Sequence, residues 1–183
     1  MINTTRLNLE VLSQQHAQEM LDYCEQNKMH LQPWEPIRNK DYFTLVNWEN
    51  ICKCSELAFV EQREYKFVAL SKASSEVVGM CSFTGIARGS FQACFVGYSV
   101  AEKFVNQGYM TEILSAAIAY MFTEVGLNRI MATYMPANEA SAKVLEKLGF
   151  EREGFARKYL KIAGKWEDHI LTAKINEFEG AKK

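Results

Sequence analysis

The chain has 183 residues, 48% of them hydrophobic and 23% charged, with ten Gly and three Pro. These proportions sit near globular averages, which excludes disordered, collagenous and coiled-coil chains, and the length suits a domain with a substantial core. Lys and Arg number 21 against 22 Asp and Glu, and a net charge of -1 argues against a broad nucleic-acid-coating surface.

No uncharged apolar run reaches the ~20 residues of a membrane helix. The longest apolar stretch, Ile113 to Phe122, is broken by Ser115. Met1 to Arg6 lacks a basic segment followed by an apolar one, so no signal peptide is expected. The cysteines at 24, 52, 54, 81 and 94 include no Cys-x-x-Cys pair, and the three His are distant in sequence. Reduced thiols in a cytoplasmic protein and no metal site are therefore expected. Without linkers, repeats or charge blocks, a single domain over 1–183 fits best.

In chain order, Arg6 to Val11 alternates polar and apolar residues and reads as a half-buried strand. Ser13 can cap a helix in which Ala17, Met20, Leu21 and Cys24 recur at helical spacing. Trp34-Glu35-Pro36 breaks that pattern, because a residue before Pro is pushed out of the helical region. A second helix is expected over Tyr42 to Arg63, with Leu45, Val46, Ile51, Leu57 and Phe59 as buried candidates. Lys66–Leu70 and Val77–Phe83 read as neighbouring strands joined by a polar turn, and Phe91–Val100 as a third.

The period then changes. Ile113, Leu114, Ala117, Ile118, Met121 and Phe122 form a helical stripe over Met110 to Val125. A strand over Arg129–Met135, a helix over Glu139–Leu148 and a strand pair, Phe155–Ile162 with Trp166–Lys174, complete the chain. This order predicts an α+β fold of mixed layers around one central sheet.

Two segments carry chemistry. Val105-Asn106-Gln107-Gly108-Tyr109-Met110-Thr111 joins a strand to a helix start. Unpaired backbone N–H groups at the positive end of a helix dipole make an anion site suited to phosphate, and a glycine lets the main chain approach it. Asn138 is a good N-cap for the later helix, with Ser141 on its first turn and Gly149 at its end. Taken singly, each is an ordinary helix start.

Together the two segments, with their intervening strand, resemble the GNAT acyl-CoA N-acyltransferase family. Trp34-Glu35-Pro36, Arg88-Gly89-Ser90-Phe91, Gly108-Tyr109-Met110-Thr111-Glu112, Tyr134-Met135-Pro136-Ala137-Asn138 and Gly164-Lys165-Trp166-Glu167-Asp168-His169 narrow the likeness. They are similar to the Rim-type ribosomal-protein N-terminal alanine acetyltransferases. The resemblance runs from about Thr5 to Lys174, the core of the domain.

It implies a GNAT-like domain with a mixed, mostly antiparallel sheet, flanked by helices and splayed where acetyl-CoA enters. The family's pyrophosphate loop reads Gln/Arg-x-x-Gly-x-Gly/Ala. Here Val105 and Met110 depart from it, Gly108 matches, and the backbone donors of 106–111 remain. Ser99 and Val100 fall where the family pairs its backbone with the pantetheine arm. Asn138 matches a cofactor-side Asn, and Ser141 a Ser near the leaving sulfur, the candidate catalytic residue. The family's helical Tyr acid has no counterpart, because Leu145 takes its place. Trp34, Glu35 and Tyr134 are the candidates for holding the acceptor.

The implied partner is a protein N-terminus, by resemblance that of a ribosomal protein, with ribosome association and an oligomer both left open. Neither membrane nor specific DNA binding is expected. Acetylation of a small amine (an amino acid, polyamine or aminoglycoside) and a CoA-binding ribosome-assembly role are the alternatives.

Overall fold

Apolar alternation along β2 (Leu7–Val11) buries Leu7 and Leu9 completely, and the same two-residue period recurs through the sheet that β2 helps to build. The computed structural model describes residues 1–177. Eight strands form one sheet: β1 (Ile2–Asn3), β2, β3 (Tyr65–Ser71), β4 (Val77–Ala87), β5 (Ala93–Val100), β6 (Arg129–Tyr134), β7 (Glu151–Ile162) and β8 (Lys165–Ile175). Their spatial order is β1-β2-β3-β4-β5-β6-β8-β7. Every neighbouring pair is antiparallel except β5 with β6, which are parallel.

Helices cover both faces. On β3, Phe67 and Ala69 join the core under α4 (Tyr109–Thr123) and α5 (Glu139–Lys147), whereas Val68 joins the one under α1 (Ala17–Gln26) and α3 (Leu45–Val60). The apolar stripe expected on α4 is buried at all six positions. The α+β layering and mixed sheet agree with the sequence.

The α3 face differs from expectation. Leu45, Val46 and Leu57 are exposed, and the buried side chains are Trp48, Cys52, Ser55 and Ala58. The helix carries two apolar stripes, and Trp48, having the largest area to hide, turns its own stripe inward against Tyr42. Tyr42 itself lies outside α3, in a 3-10 turn over Lys40–Phe43, and Thr44 caps the helix by accepting from the Asn47 N–H. Sequence reading also missed β1 and the short α2 (Lys28–Leu31), and it started β7 four residues late, at Phe155. It started β5 two residues early, because Gln92 takes a left-handed φ of 44° and leaves Phe91 outside the strand. All five cysteines are free thiols, four of them buried. No helix among the described residues is long and apolar enough to cross a membrane.

One irregularity positions the site. The parallel pairing of β5 with β6 covers Ala93/Arg129, Cys94/Ile130 and Phe95/Met131 and then stops. Both strands continue, to Val100 and Tyr134, so they diverge into an opening at their C-terminal ends. Such ends are where open sheets with helices on both faces take ligands.

Candidate active site

β5 presents a different edge to each side. An antiparallel ladder alternates the direction of its backbone groups, and the Ala101 N–H to Val78 carbonyl bond of 2.9 Å sets its phase. By that phase Gly97 and Ser99 bond toward β4, while Val96, Tyr98 and Val100 turn their N–H and C=O groups toward the opening. Val100 therefore faces the opening with its backbone, and Ser99 does not. The Ser99 carbonyl lies 2.5 Å from where a Cβ on Gly79 would sit, so only glycine fits at that point of β4. The Ser99 hydroxyl is spent on the buried phenol of Tyr23, 2.8 Å away. Burial, opposed by that bond, pushes the Tyr23 phenol well above its ordinary range.

Beyond β5, a 3-10 turn over Glu102–Phe104 leads into the loop. Asn106 and Gly108 are left-handed, with φ of 60° and 76°, and α4 starts at Tyr109. The Glu112 N–H bonds back to the Gly108 carbonyl at 3.1 Å. The amides of Gly108, Tyr109, Met110 and Thr111 precede that first turn and point along the axis at the positive end of the dipole. A Cβ on Gly108 would meet only a guanidinium nitrogen of Arg6 at 3.8 Å, so backbone conformation, rather than crowding, demands glycine. Met110 buries its side chain in the core, which explains an apolar residue where the family pattern has a small one.

Sequence reading missed what holds this loop. Arg6, just before β2, lays its guanidinium over the Tyr109 ring, 3.8 Å from the centroid. It also donates to the Gln107 carbonyl at 3.0 Å and to the Glu112 carboxylate at 2.7 Å. Glu112 further accepts from the Arg6 N–H at 2.8 Å and the Thr4 hydroxyl at 2.6 Å. Partial burial opposes ionisation of Glu112, but these donors outweigh it and hold the carboxyl below its ordinary value. From the other face, buried Asn27 donates to the Tyr23 carbonyl at 2.7 Å and accepts the Glu102 N–H at 2.8 Å.

Across the opening stands α5. Asn138 caps it by accepting the Ser141 N–H at 3.0 Å. The Ser141 hydroxyl lies 2.7 Å from the phenol of Tyr98, a residue to which sequence reading assigns no role. Tyr98 is half-buried, and its pKa is pushed up to about 12, chiefly by burial and against the bond with Ser141. Tyr134 ends β6 half-buried and packs on the same core, so Tyr98, Ser141 and Asn138 form one group with Tyr134 beside them. Leu145 is buried, so no hydroxyl replaces the missing helical Tyr there.

Trp34 and Glu35 follow α2 on the α1 side, where Glu35 is close enough to act electrostatically on the Tyr23 phenol. Trp34 ends a 3-10 turn and is 38% exposed. Glu35 pairs with Arg38 at 2.9 Å, and its carbonyl accepts the Ala163 N–H at 2.8 Å, joining this segment to the β7–β8 turn. Beside it is a cavity of about 80 Å³ walled by Cys24, Leu31, Glu35, Tyr42 and Ala163. The cluster Arg157, Lys158, Lys161 and Lys165 lines the exposed end of the same hairpin.

Comparison with known proteins agrees with this architecture. Residues 6–151 match the family model described as an acetyltransferase (GNAT) domain. The chain is 37% identical over 172 residues to ribosomal protein uS5-alanine N-acetyltransferase of Escherichia coli (strain K12), covering 94% of this chain and 89% of that protein. Its fold matches the ribosomal-protein-S5-alanine acetyltransferase from Vibrio fischeri at a TM-score of 0.92 and 38% identity, covering 96% of each chain. It also matches Mycobacterium smegmatis RimJ in complex with CoA-disulfide at a TM-score of 0.88 and 29% identity, covering 97% of this chain and 84% of that one. In sequence and in fold, the chain belongs to the GNAT acetyltransferase family.

Proposed function

We propose that this protein transfers the acetyl group of acetyl-CoA to the N-terminal α-amine of a protein, a ribosomal protein beginning with alanine. The observation that carries the donor side is the divergence of β5 from β6 beside the amide-rich start of α4. Where β5 and β6 no longer pair, β5 can pair instead with an extended pantetheine arm, and oriented amides with a helix dipole accept the pyrophosphate. The acceptor reading is supported by similarity to the uS5-alanine acetyltransferases along nearly the whole chain. Acting on a ribosomal protein would place the enzyme in the cytoplasm, as one domain over 1–183.

On this reading the loop from Val105 to Thr111 cradles phosphate with its backbone, and Val100 pairs with the pantetheine arm. Asn138 serves by fixing the start of α5, and Ser99 serves indirectly, by anchoring β5 to Tyr23. An α-amine has a pKa of about 7.7–8.0, so about a tenth is neutral at pH 7, and modest base assistance through water suffices. The amine attacks the thioester carbon directly. The Val100 N–H is placed to stabilise the resulting oxyanion, and Ser141 donates a hydrogen bond to the departing sulfur.

Trp34 and Tyr134 offer flat walls for the acceptor chain. Glu35 already neutralises Arg38, so its service is to hold the Trp34–Pro36 segment rather than to deprotonate the amine. Turnover of an alanine-starting peptide against a panel of amino acids, polyamines and aminoglycosides tests this function. A preference for the peptide supports it, and faster turnover of a small amine replaces it with the small-molecule reading.

A further inference from the structure

The Ser141 hydroxyl has one hydrogen-bond partner among the described residues, the Tyr98 phenol at 2.7 Å. Serines on a helix often turn their hydroxyl back to a carbonyl of the preceding turn, which removes the hydrogen from other use. Here a competitor occupies the oxygen. The Tyr98 phenol also lies 3.5 Å from the Ser141 carbonyl, which can only accept, so the phenol hydrogen is turned toward Ser141, and we take Tyr98 as the donor and the Ser141 oxygen as the acceptor within the pair. On that assignment the hydrogen of Ser141 is left free for another acceptor. The Asn138 cap fixes the serine backbone, and Tyr98 fixes its side chain. The pair also spans the opening, because Tyr98 belongs to β5 and Ser141 to the helix that follows β6.

We propose that Tyr98 is a positioning residue for acetyl transfer, its phenol donating to Ser141 Oγ and so aiming the Ser141 hydrogen at the departing CoA sulfur. The inference rests on Ser141 serving the leaving group. In that step the carbon–sulfur bond breaks and its electron pair leaves on sulfur. Ser141 donates a hydrogen bond to the growing thiolate. The proton shed by the acetylated amine passes through solvent to give free CoA thiol, and Tyr98 keeps its own proton throughout.

The test compares wild type, Tyr98→Phe, Ser141→Ala and the double variant, using whichever amine of the panel the enzyme turns over best. Tyr98→Phe keeps the ring and its packing. It is expected to lower kcat about tenfold while KM for acetyl-CoA and calorimetric affinity for CoA stay within about twofold. The double variant should be no slower than Ser141→Ala alone, since the phenol acts only through the serine. Two results overturn the proposal while leaving Ser141 in place: wild-type turnover by Tyr98→Phe, or losses that multiply in the double variant. Weakened CoA binding by Tyr98→Phe also overturns it, by making the phenol a support of the opening. Wild-type turnover by Ser141→Ala removes the serine's role itself, and this proposal falls with it.

Discussion

The loop over 105–111, on the proposed donor side, and the segment Trp34-Glu35-Pro36, on the proposed acceptor side, are held in different ways. The loop offers backbone amides, and its shape is fixed by Glu112, just past it, together with Arg6 and Thr4 from about a hundred residues away in sequence, with Asn27 steadying the turn before it. The Trp34 segment offers side chains that are half-exposed or exposed, held by one surface ion pair and one backbone hydrogen bond. Backbone recognition suits a ligand part that never changes, the pyrophosphate of CoA. Side-chain recognition suits the part that varies among relatives of one fold, the acceptor. Substitutions on the donor side should therefore cost cofactor affinity whatever the amine, and substitutions on the acceptor side should alter the amine preference alone.

The largest effect is expected at Gly108. Valine there must take a φ of 76°, which a β-branched residue strongly disfavours. CoA affinity should fall about tenfold or more, about 1.4 kcal/mol. Asparagine tolerates that conformation and should keep most of the affinity, because a Cβ there meets little. Calorimetric titration of both variants separates conformational demand from crowding. Equal losses for valine and asparagine would mean that CoA itself needs the space.

Breaking the clamp comes next. Arg6→Gln or Glu112→Gln should weaken CoA binding about three- to tenfold for every amine tested, since charge-assisted hydrogen bonds of this kind contribute about 1 kcal/mol each when partly exposed. The Glu112 carboxyl is held below its ordinary value of 4.5. A depressed carboxylate contributes stability that is fully present above its unfolded pKa and is lost as pH falls through the folded one. The wild type should thus lose stability faster than Glu112→Gln as pH drops below about 4.5, and be the more stable of the two near neutrality. Urea unfolding of both proteins at pH 7 and pH 4 reads this directly, and parallel curves at the two pH values would remove the clamp from the account.

Smaller effects belong to the acceptor side. Trp34→Ala should raise KM for the peptide about threefold with acetyl-CoA parameters unchanged, as expected for one half-exposed wall. Glu35→Gln should change kcat/KM for the peptide less than about twofold, because it breaks only a surface pair with Arg38. A fall in CoA affinity in either variant would erase the distinction between the two sides.

How much of this was legible in the sequence follows the same division. Alternation exposed the half-buried strands, and the α4 stripe at helical spacing named its buried residues correctly, because both signals are local. The Gly108 loop and the Asn138 cap were legible for the same reason, being backbone devices written in consecutive residues. Arg6 with Glu112, Tyr23 with Ser99 and Tyr98 with Ser141 were not, since each pair is made by packing a helix against the sheet and leaves no spacing to count. The family resemblance points to Ser99 and Val100 together, as the end of the strand that meets the pantetheine arm. Only the ladder phase set by Ala101 and Val78 separates the one that faces the opening from the one that does not. On α3 the local signal was ambiguous, with two apolar stripes, and packing chose the one carrying Trp48.

The most direct test of the central claim is the ratio of kcat/KM values for an alanine-starting ribosomal-protein peptide and for the best small amine of the panel, measured with saturating acetyl-CoA. Protein N-terminal acetylation predicts that the peptide is preferred and that Trp34→Ala narrows the preference while Gly108→Val leaves the ratio unchanged. A small amine turned over with the higher kcat/KM would contradict it.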